Sequence, residues 1–211
     1  MSDPTQLQAE AQRFRDDFQN LRAAVGGVIV GQQRVVEGVG NTAVSATANI
    51  VVQSSPIIGW AHGDSGAVGL PGDASLLAGT FTVRGSGDDI WYDADAFHYV
   101  YRPLTGNGTI TARVVSLQNT DDWAKAGVML RETLDPGSAY AFSLATPVND
   151  TALQWRGSAG ADADHLGGPV AAAPYWVRLV RASNNVSAYA SPDGSAWFAE
   201  DAADAASDSN E

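Results

Sequence analysis

Residues 121 to 132 read D-D-W-A-K-A-G-V-M-L-R-E, and side-chain character alternates at every second position along this stretch. Side chains at every second position face the same way on a strand. One face is apolar: Ala124, Ala126, Val128 and Leu130. The other face carries Lys125, Gly127, Met129 and Arg131. The stretch therefore predicts a β-strand, and its mixed face is predicted to be a solvated or concave polar surface rather than a catalytic cluster.

Further segments with strand character recur along the chain, and turn signals separate them. The predicted strands are Gly79–Arg84, Ala96–Arg102, Thr109–Leu117, Lys125–Arg131, Tyr140–Ala145, Ala152–Arg156, Tyr175–Arg181 and Val186–Ala190. The turn signals include L-T-G-N-G at 104–108, L-D-P-G at 134–137 and S-P-D-G at 191–194. Short strands without intervening helices predict an all-β fold, an antiparallel two-sheet sandwich or jelly roll.

Composition supports this class and excludes several functions. The 22 glycines, and 19 aspartates against 5 glutamates, favour turns over helix interiors. A net charge of −12 repels nucleic acid and disfavours an anionic membrane surface as partners. The absence of cysteine excludes disulfides and thiolate metal sites. We find no apolar run that predicts a membrane-spanning helix.

Residues 1–40 are predicted to be a helical extension. Apolar residues at helical spacing form one narrow stripe: Leu7, Ala11, Phe14, Phe18, Leu21 and Val25. Pro4 suits the first turn, and Gly26 with Gly27 is predicted to end the helix. A second short helix is predicted from Gln32 to Val39. The stripe either docks on the body and covers an open edge, or pairs with another copy as a short coiled coil.

Three further segments follow. Residues 41–56 form a linker with strand character, because A-V-S-A-T-A-N-I-V-V at 43–52 alternates apolar and polar positions. Residues 57–198 form the β-sandwich. Residues 199–211 are acidic and lack large apolar side chains, so a disordered tail is predicted.

Several stretches of the body resemble a bacterial module of the concanavalin A-like lectin/glucanase superfamily. They are G-A-V-G-L-P-G (66–72), G-T-F-T-V-R-G-S-G-D-D-I-W (79–91), A-F-H-Y-V-Y (96–101), G-T-I-T-A-R-V (108–114), W-A-K-A-G-V-M-L-R-E (123–132) and P-Y-W-V-R-L-V-R (174–181). The resemblance implies a two-sheet jelly roll. It also implies a secreted or cell-surface location, although residues 1–30 show no signal peptide.

The chain departs from that family at both ends. Relatives continue after the Trp197 hairpin with further strands, and segment 43–52 is predicted to fill this gap in the sheets. Residues 18–37 resemble the leading segment of MoxR-type AAA ATPases, but no phosphate-binding G-x-x-x-x-G-K-[ST] motif follows. The chain thus reads as a fusion of an ATPase fragment and a lectin-like body.

The residues argue against an enzyme. Glucanases of the resembled superfamily use an E-x-D-x-x-E strand, and no such pattern is present. Glu132 is the only glutamate between Glu37 and Glu200. There is also no cysteine nucleophile and no G-x-S-x-G elbow. A glycoside hydrolase remains the enzymatic alternative.

The preferred prediction is a non-catalytic, lectin-like carbohydrate or cell-surface binding module. Sugar rings stack on aromatic side chains, and planar polar side chains bind their hydroxyl groups. The predicted ligand-binding residues are Trp91, Trp123, Trp155, His98, Arg113, Arg131, Gln154, Arg156 and Arg178. The four arginines fall on separate strands and are predicted to line one concave sheet. Trp176 and Trp197 are predicted to be core, and the other alternative is a structural or interaction module without a ligand.

Metal binding has one candidate. The run D-D-I-W-Y-D-A-D at 88–95 gathers carboxylates suited to calcium: Asp88, Asp89, Asp93 and Asp95. The alternative is an ordinary Asp-rich turn, since the spacing is not that of an EF-hand. The three histidines, His62, His98 and His165, have no partner at zinc-binding spacing, so no zinc site and no other cofactor is predicted.

Overall fold

The structure is a computed structural model that describes residues 24–30, 46–52 and 59–200. Within these residues the secondary structure is β throughout, and no helix is long and apolar enough to cross a membrane. The strands are β1 (Ala24–Val30), β2 (Ala46–Val52), β3 (Ala61–Ser65), β4 (Asp73–Leu77), β5 (Thr80–Gly85), β6 (Ile90–Trp91), β7 (Ala94–Asp95), β8 (Phe97–Leu104), β9 (Gly108–Leu117), β10 (Ala126–Arg131), β11 (Tyr140–Ala145), β12 (Asp150–Arg156), β13 (Asp164–Val170), β14 (Tyr175–Ala182), β15 (Asn185–Ser191) and β16 (Phe198–Ala199).

These strands form two seven-stranded sheets and one small hairpin. Sheet 1 has the order β13-β12-β11-β10-β1-β8-β3, and sheet 2 has the order β16-β15-β14-β9-β2-β5-β4. Strands β6 and β7 pair only with each other. Neighbouring strands are antiparallel in both sheets. The all-β, antiparallel class predicted from the sequence is confirmed.

The main hydrophobic core lies between the two sheets. Val128 and Leu130 of sheet 1 share it with Ile50, Val177 and Leu179 of sheet 2, and all five are almost fully buried. They occupy alternate positions on their strands, as the period of two requires. Burying each such side chain contributes about 1.5–3 kcal/mol, so the sheets are held face to face by this layer.

Strand β1 occupies the middle of sheet 1, between β8 and β10. Its Val28 is opposite Val100 on one side and Val128 on the other. The prediction that a helix runs to Val25 and ends at Gly26 is therefore wrong over 24–30. The segment A-V-G-G-V-I-V is rich in β-branched residues and glycine, which are poor helix formers, and strand pairing is available on both sides. The rest of the predicted helical extension lies outside the described residues.

Strand β2 occupies the equivalent middle position in sheet 2, between β5 and β9. Ala48 and Ile50 are fully buried, whereas Asn49 on the opposite face bonds to Ser116 and Thr82. The predicted pairing of segment 43–52 with the body is confirmed for 46–52. Part of the predicted linker is therefore a central strand of the sandwich.

The predicted disorder is wrong for the first two residues of the acidic segment, Ala199 and Glu200. Strand β16 pairs Ala199 with Tyr189 at the edge of sheet 2. The next residue, Glu200, is buried and accepts a hydrogen bond of 2.6 Å from the hydroxyl of Ser143 in sheet 1. A buried carboxylate needs such donors, so these contacts hold the end of β16 in place. Residues 201–211 lie outside the described residues.

The central position of β2 predicts a large effect of truncating its core side chain. We expect Ile50→Ala to lower the free energy of unfolding by about 2–5 kcal/mol, because the substitution leaves a cavity between the sheets. Val51→Ala, on the half-buried opposite face, is the matched control with an expected loss under about 1 kcal/mol. Urea denaturation followed by tryptophan fluorescence measures both. Equal, small losses would mean that β2 does not contribute to the core.

Candidate functional site

A second hydrophobic cluster covers the outer face of sheet 1. It contains Ile90, Phe97, Tyr99, Met129, Tyr140, Phe142, Leu144 and Ala152. Every residue of β10 is consequently buried, on both faces. The prediction that the face carrying Lys125 and Arg131 is solvated is wrong: Lys125 is 5% exposed and Arg131 is fully buried. The loop that brings Ile90 over the sheet excludes water from this face.

A buried ion cluster lies at one end of this covered face. The carboxylate of Asp95 accepts bonds from Arg156 Nη2 at 2.6 Å and Nη1 at 2.9 Å, and from Arg131 Nη1 at 3.2 Å. Burial raises the pKa of Asp95, whereas the bonds and charges of the two guanidinium groups act to lower it. Burial alone would lower the pKa of Arg156, but its bonds to Asp95 and the charge of that carboxylate raise it.

Arg156 also holds the β6–β7 hairpin through main-chain carbonyls. Its guanidinium donates to the carbonyl of Trp91 at 3.0 Å and to that of Tyr92 at 2.9 Å. It donates to two further loops as well, through the carbonyls of Ser138 and Ala161. One buried side chain thus connects three loops above sheet 1.

The hairpin turn presents aromatic side chains to solvent. Tyr92 has a φ of 45°, a left-handed conformation that costs an ordinary residue about 1–2 kcal/mol. The bonds from Arg156 and from the amide of Ala163 to its carbonyl maintain this conformation. Its side chain is 67% exposed. A large exposed ring in a strained, firmly held turn is a common feature of binding sites.

A cavity of about 350 Å³ opens beside this hairpin, within the range of small-molecule sites. Its wall is aromatic: Trp91, Tyr92, Trp123 and His165. Its polar lining comprises Asp88, Asp89, Asp121, Lys125 and Gln154. Its remaining lining is apolar: Ala124, Leu144 and Ala152.

The rings of the wall contact one another at steep angles. The imidazole of His165 is edge-on to Trp91, with centroids 5.4 Å apart, and to Trp123, with centroids 6.3 Å apart. Trp123 is 46% exposed, so part of its ring is open to a ligand. Its position is defined by the turn before β10, where its amide donates to the Asp121 carboxylate at 2.8 Å.

The polar lining is already partly paired. Lys125 Nζ lies 2.7 Å from Asp89 Oδ1. The amide nitrogen of Gln154 donates to the carbonyl of Ile90 and to the hydroxyl of Tyr140, whose pKa is raised mainly by burial. Both hydrogens of that nitrogen are therefore used, and the Gln154 side-chain oxygen is the group that can serve a ligand.

Three of the predicted ligand residues line this cavity, namely Trp91, Trp123 and Gln154. Arg131 and Arg156 are instead fully buried in the ion cluster. Trp155 is 2% exposed and packs in the core between the sheets, so no part of it is presented to the cavity. Trp155 was predicted as a ligand residue beside Gln154 and Arg156, but it points to the opposite face of β12 from both of them.

The four arginines do not line one sheet. Arg131 and Arg156 belong to sheet 1, whereas Arg113 and Arg178 lie on β9 and β14 of sheet 2. On the outer face of sheet 2 the guanidinium of Arg178 stacks 3.5 Å from the ring of Trp197.

Two tryptophans on sheet 2 also differ from their prediction. Trp176 and Trp197 are half-buried and do not belong to the core. Trp176 alternates with the inward-facing Val177 on β14, so its ring lies on the outer face of the sheet. The strand period shows which residues share a face, but it does not show which face is the core. A tryptophan on the outer face can still be half-buried when a neighbouring side chain covers its ring, as Arg178 covers Trp197.

His98 is not among the residues that line the cavity and belongs to a separate polar cluster. It is buried, with Nδ1 2.7 Å from Asp64 Oδ1 and Nε2 3.1 Å from Nδ1 of His62. The sequence predicted no partner for these histidines, because 36 residues separate them. Strands β3 and β8 pair antiparallel and bring them together.

The predicted calcium cluster is not assembled. Asp88 and Asp89 line the cavity, Asp93 is exposed on the hairpin turn, and Asp95 binds the arginines. Over residues 24–30, 46–52 and 59–200 no three or more histidine and carboxylate side chains are placed to hold a metal ion. The run instead contains the turn of the β6–β7 hairpin, in agreement with the alternative of an ordinary Asp-rich turn.

Among the aromatic and polar lining residues of the cavity, four are absent from the predicted ligand and metal residues: Tyr92, Asp121, Lys125 and His165. Two signals were present. Lys125 is the only lysine of the chain, and Asp121 precedes an exposed tryptophan in a turn. His165 had no local signal, because only the pairing of β12 with β13 places it opposite Gln154.

Comparison with known proteins finds no match for this chain among protein-family models, curated proteins or solved structures.

The ion cluster predicts a large cost for removing its central cation. We expect Arg156→Met to lower the free energy of unfolding by about 3–5 kcal/mol, since it leaves the buried Asp95 carboxylate with one guanidinium instead of two. The control is Arg178→Met on the outer face of sheet 2, with an expected loss of about 1 kcal/mol or less. Urea denaturation of both variants checks this. A loss for Arg156→Met no larger than that of the control would contradict a structural role for the cluster.

Proposed function

We propose that this protein is a non-catalytic, lectin-like carbohydrate-binding module and that the cavity beside the β6–β7 hairpin is its binding site. The observation that carries the proposal is the joining of two exposed rings, Tyr92 and Trp123, with several hydrogen-bond acceptors in one cavity. Amphipathic ligands with hydroxyl groups and apolar C–H faces fit such a lining.

The hydrogen-bonding groups suit the hydroxyl-rich edge of a sugar. The carboxylates of Asp88, Asp89 and Asp121 and the side-chain oxygen of Gln154 are acceptors, and sugar hydroxyl groups can donate to them. The aromatic wall then contacts the apolar face of the ring. Stacking and directional bonds together orient a pyranose ring more closely than either would alone.

We further propose that the fold is a concanavalin A-like jelly roll. Two antiparallel sheets of seven strands support this, as do the chain crossings between them, from β8 in sheet 1 to β9 in sheet 2 and back to β10. Strands β1 and β2 would complete the two sheets in this scheme. Their interior positions in the two sheets would then distinguish this chain from superfamily members that add strands after the last hairpin.

The proposal predicts that binding depends on Trp123. We expect Trp123→Ala to weaken glycan binding by at least about tenfold, because the substitution removes the stacking surface at the cavity mouth. A glycan array identifies a bound sugar, and isothermal titration calorimetry compares the affinities of the wild type and the variant.

The matched control is Trp197→Ala, which removes a half-buried tryptophan from the outer face of sheet 2. Its affinity is expected to remain within about twofold of the wild type. Absence of binding to any glycan would favour a structural or interaction module. Release of reducing ends from the bound glycan would instead indicate a hydrolase that uses the cavity carboxylates.

A further inference from the structure

The cavity carries an excess of negative charge. Asp88, Asp89 and Asp121 contribute three carboxylates, against the single ammonium group of Lys125. Counted over these four groups, the formal charge of the lining is −2. The chain as a whole has a net charge of −12, so the field of the rest of the molecule adds to this excess.

We propose that the bound glycan carries a free, protonated amino group, as in glucosamine oligomers, and that the cavity selects amino sugars over acetylated, neutral and acidic ones. This inference rests on the proposed function of the same site, and names the class of sugar it takes.

The one cation of the cavity is already neutralised. Lys125 is 5% exposed, and its ammonium lies 2.7 Å from Asp89. This pair balances the charge of both partners, so Lys125 leaves no net positive charge to attract an anionic sugar. The uncompensated charge belongs to Asp88, which is exposed, and to Asp121, which is half-buried.

The carboxylate and amide oxygens of the lining are hydrogen-bond acceptors, and they also favour a cationic sugar. The amide nitrogen of Gln154 is used by Ile90 and Tyr140, which leaves its carbonyl oxygen for a ligand. An ammonium group is only a donor, and an oxygen-rich lining matches it. A carboxylate or sulfate on a sugar would instead meet acceptors and like charge.

The aromatic wall adds a second attraction for a cation. Trp91, Tyr92 and Trp123 line the same cavity as the two uncompensated carboxylates. The face of an aromatic ring attracts an ammonium group, and tryptophan does so most strongly. Acetylation of the amine removes this attraction together with the ion pairing, while the sugar ring stays the same.

The test is isothermal titration calorimetry with a glucosamine trimer, an N-acetylglucosamine trimer, cellotriose and a galacturonic acid trimer. We expect the glucosamine trimer to bind at least about tenfold more tightly than the other three at low ionic strength. In about 0.5 M NaCl the preference is expected to shrink, because salt screens charge interactions and leaves stacking in place.

The variant Asp88→Asn is expected to weaken binding of the glucosamine trimer by about fivefold and binding of the N-acetylglucosamine trimer by less, because the asparagine side-chain oxygen still accepts from hydroxyl groups but carries no charge. Asp73→Asn, an exposed carboxylate on β4 of sheet 2, is the matched control and is expected to change neither affinity. Both carboxylates are exposed, and the thermal midpoint of each variant verifies that it folds.

Equal binding of the glucosamine, acetylated and neutral trimers would overturn the amine preference and leave the proposed sugar-binding function standing. Tighter binding of the acidic trimer would overturn the preference as well. No binding of any sugar, here or on an array, would overturn the proposed function together with it. An equal response of both trimers to Asp88→Asn would also overturn the preference, because a charge effect must be confined to the charged ligand.

Discussion

The buried contact between Asp95 and the guanidinium groups of Arg131 and Arg156 is the constraint on which the outer side of sheet 1 depends. All three side chains are removed from water, which is costly, and only the directed bonds among them offset that cost. A contact of this kind adds little net stability. Its consequence is geometric, because only one arrangement of the surrounding loops satisfies every donor of Arg156.

The side chain of Arg156 links the buried ion cluster to the hairpin beside the cavity. The same guanidinium that binds Asp95 donates to the carbonyls of Trp91 and Tyr92. The hairpin is therefore held at its main chain, which leaves the exposed ring of Tyr92 at the cavity mouth. A site built this way is organised before a ligand arrives, so a ligand would lose less of its binding free energy to ordering the protein.

Three consecutive residues of β12 show which side-chain directions the sequence predicts and which it does not. Gln154, Trp155 and Arg156 were predicted to bind the same ligand, although adjacent strand residues face opposite ways. Gln154 and Arg156 lie on the covered outer face, and Trp155 lies in the inter-sheet core. Apolar Leu153 and Trp155 do alternate with polar Gln154 and Arg156, so the strand period by itself separates the two faces. The period does not reveal that the polar face is buried as well. Trp91 and Trp123 were predictable because turn signals flank them, and turns lie at the surface.

The strand period, the all-β class, the acidic net charge and the position of two tryptophans beside turns can all be predicted from the amino-acid sequence. These follow from neighbouring residues, whose spacing and turn chemistry act locally. Three features become visible only in the folded chain: residues 24–30 form an interior strand of sheet 1, the arginines divide between two sheets, and Lys125 pairs with Asp89 at a cavity. Each of these depends on pairing between segments far apart in the chain, and the free energy of such pairing is set by the partner strand as much as by the segment itself.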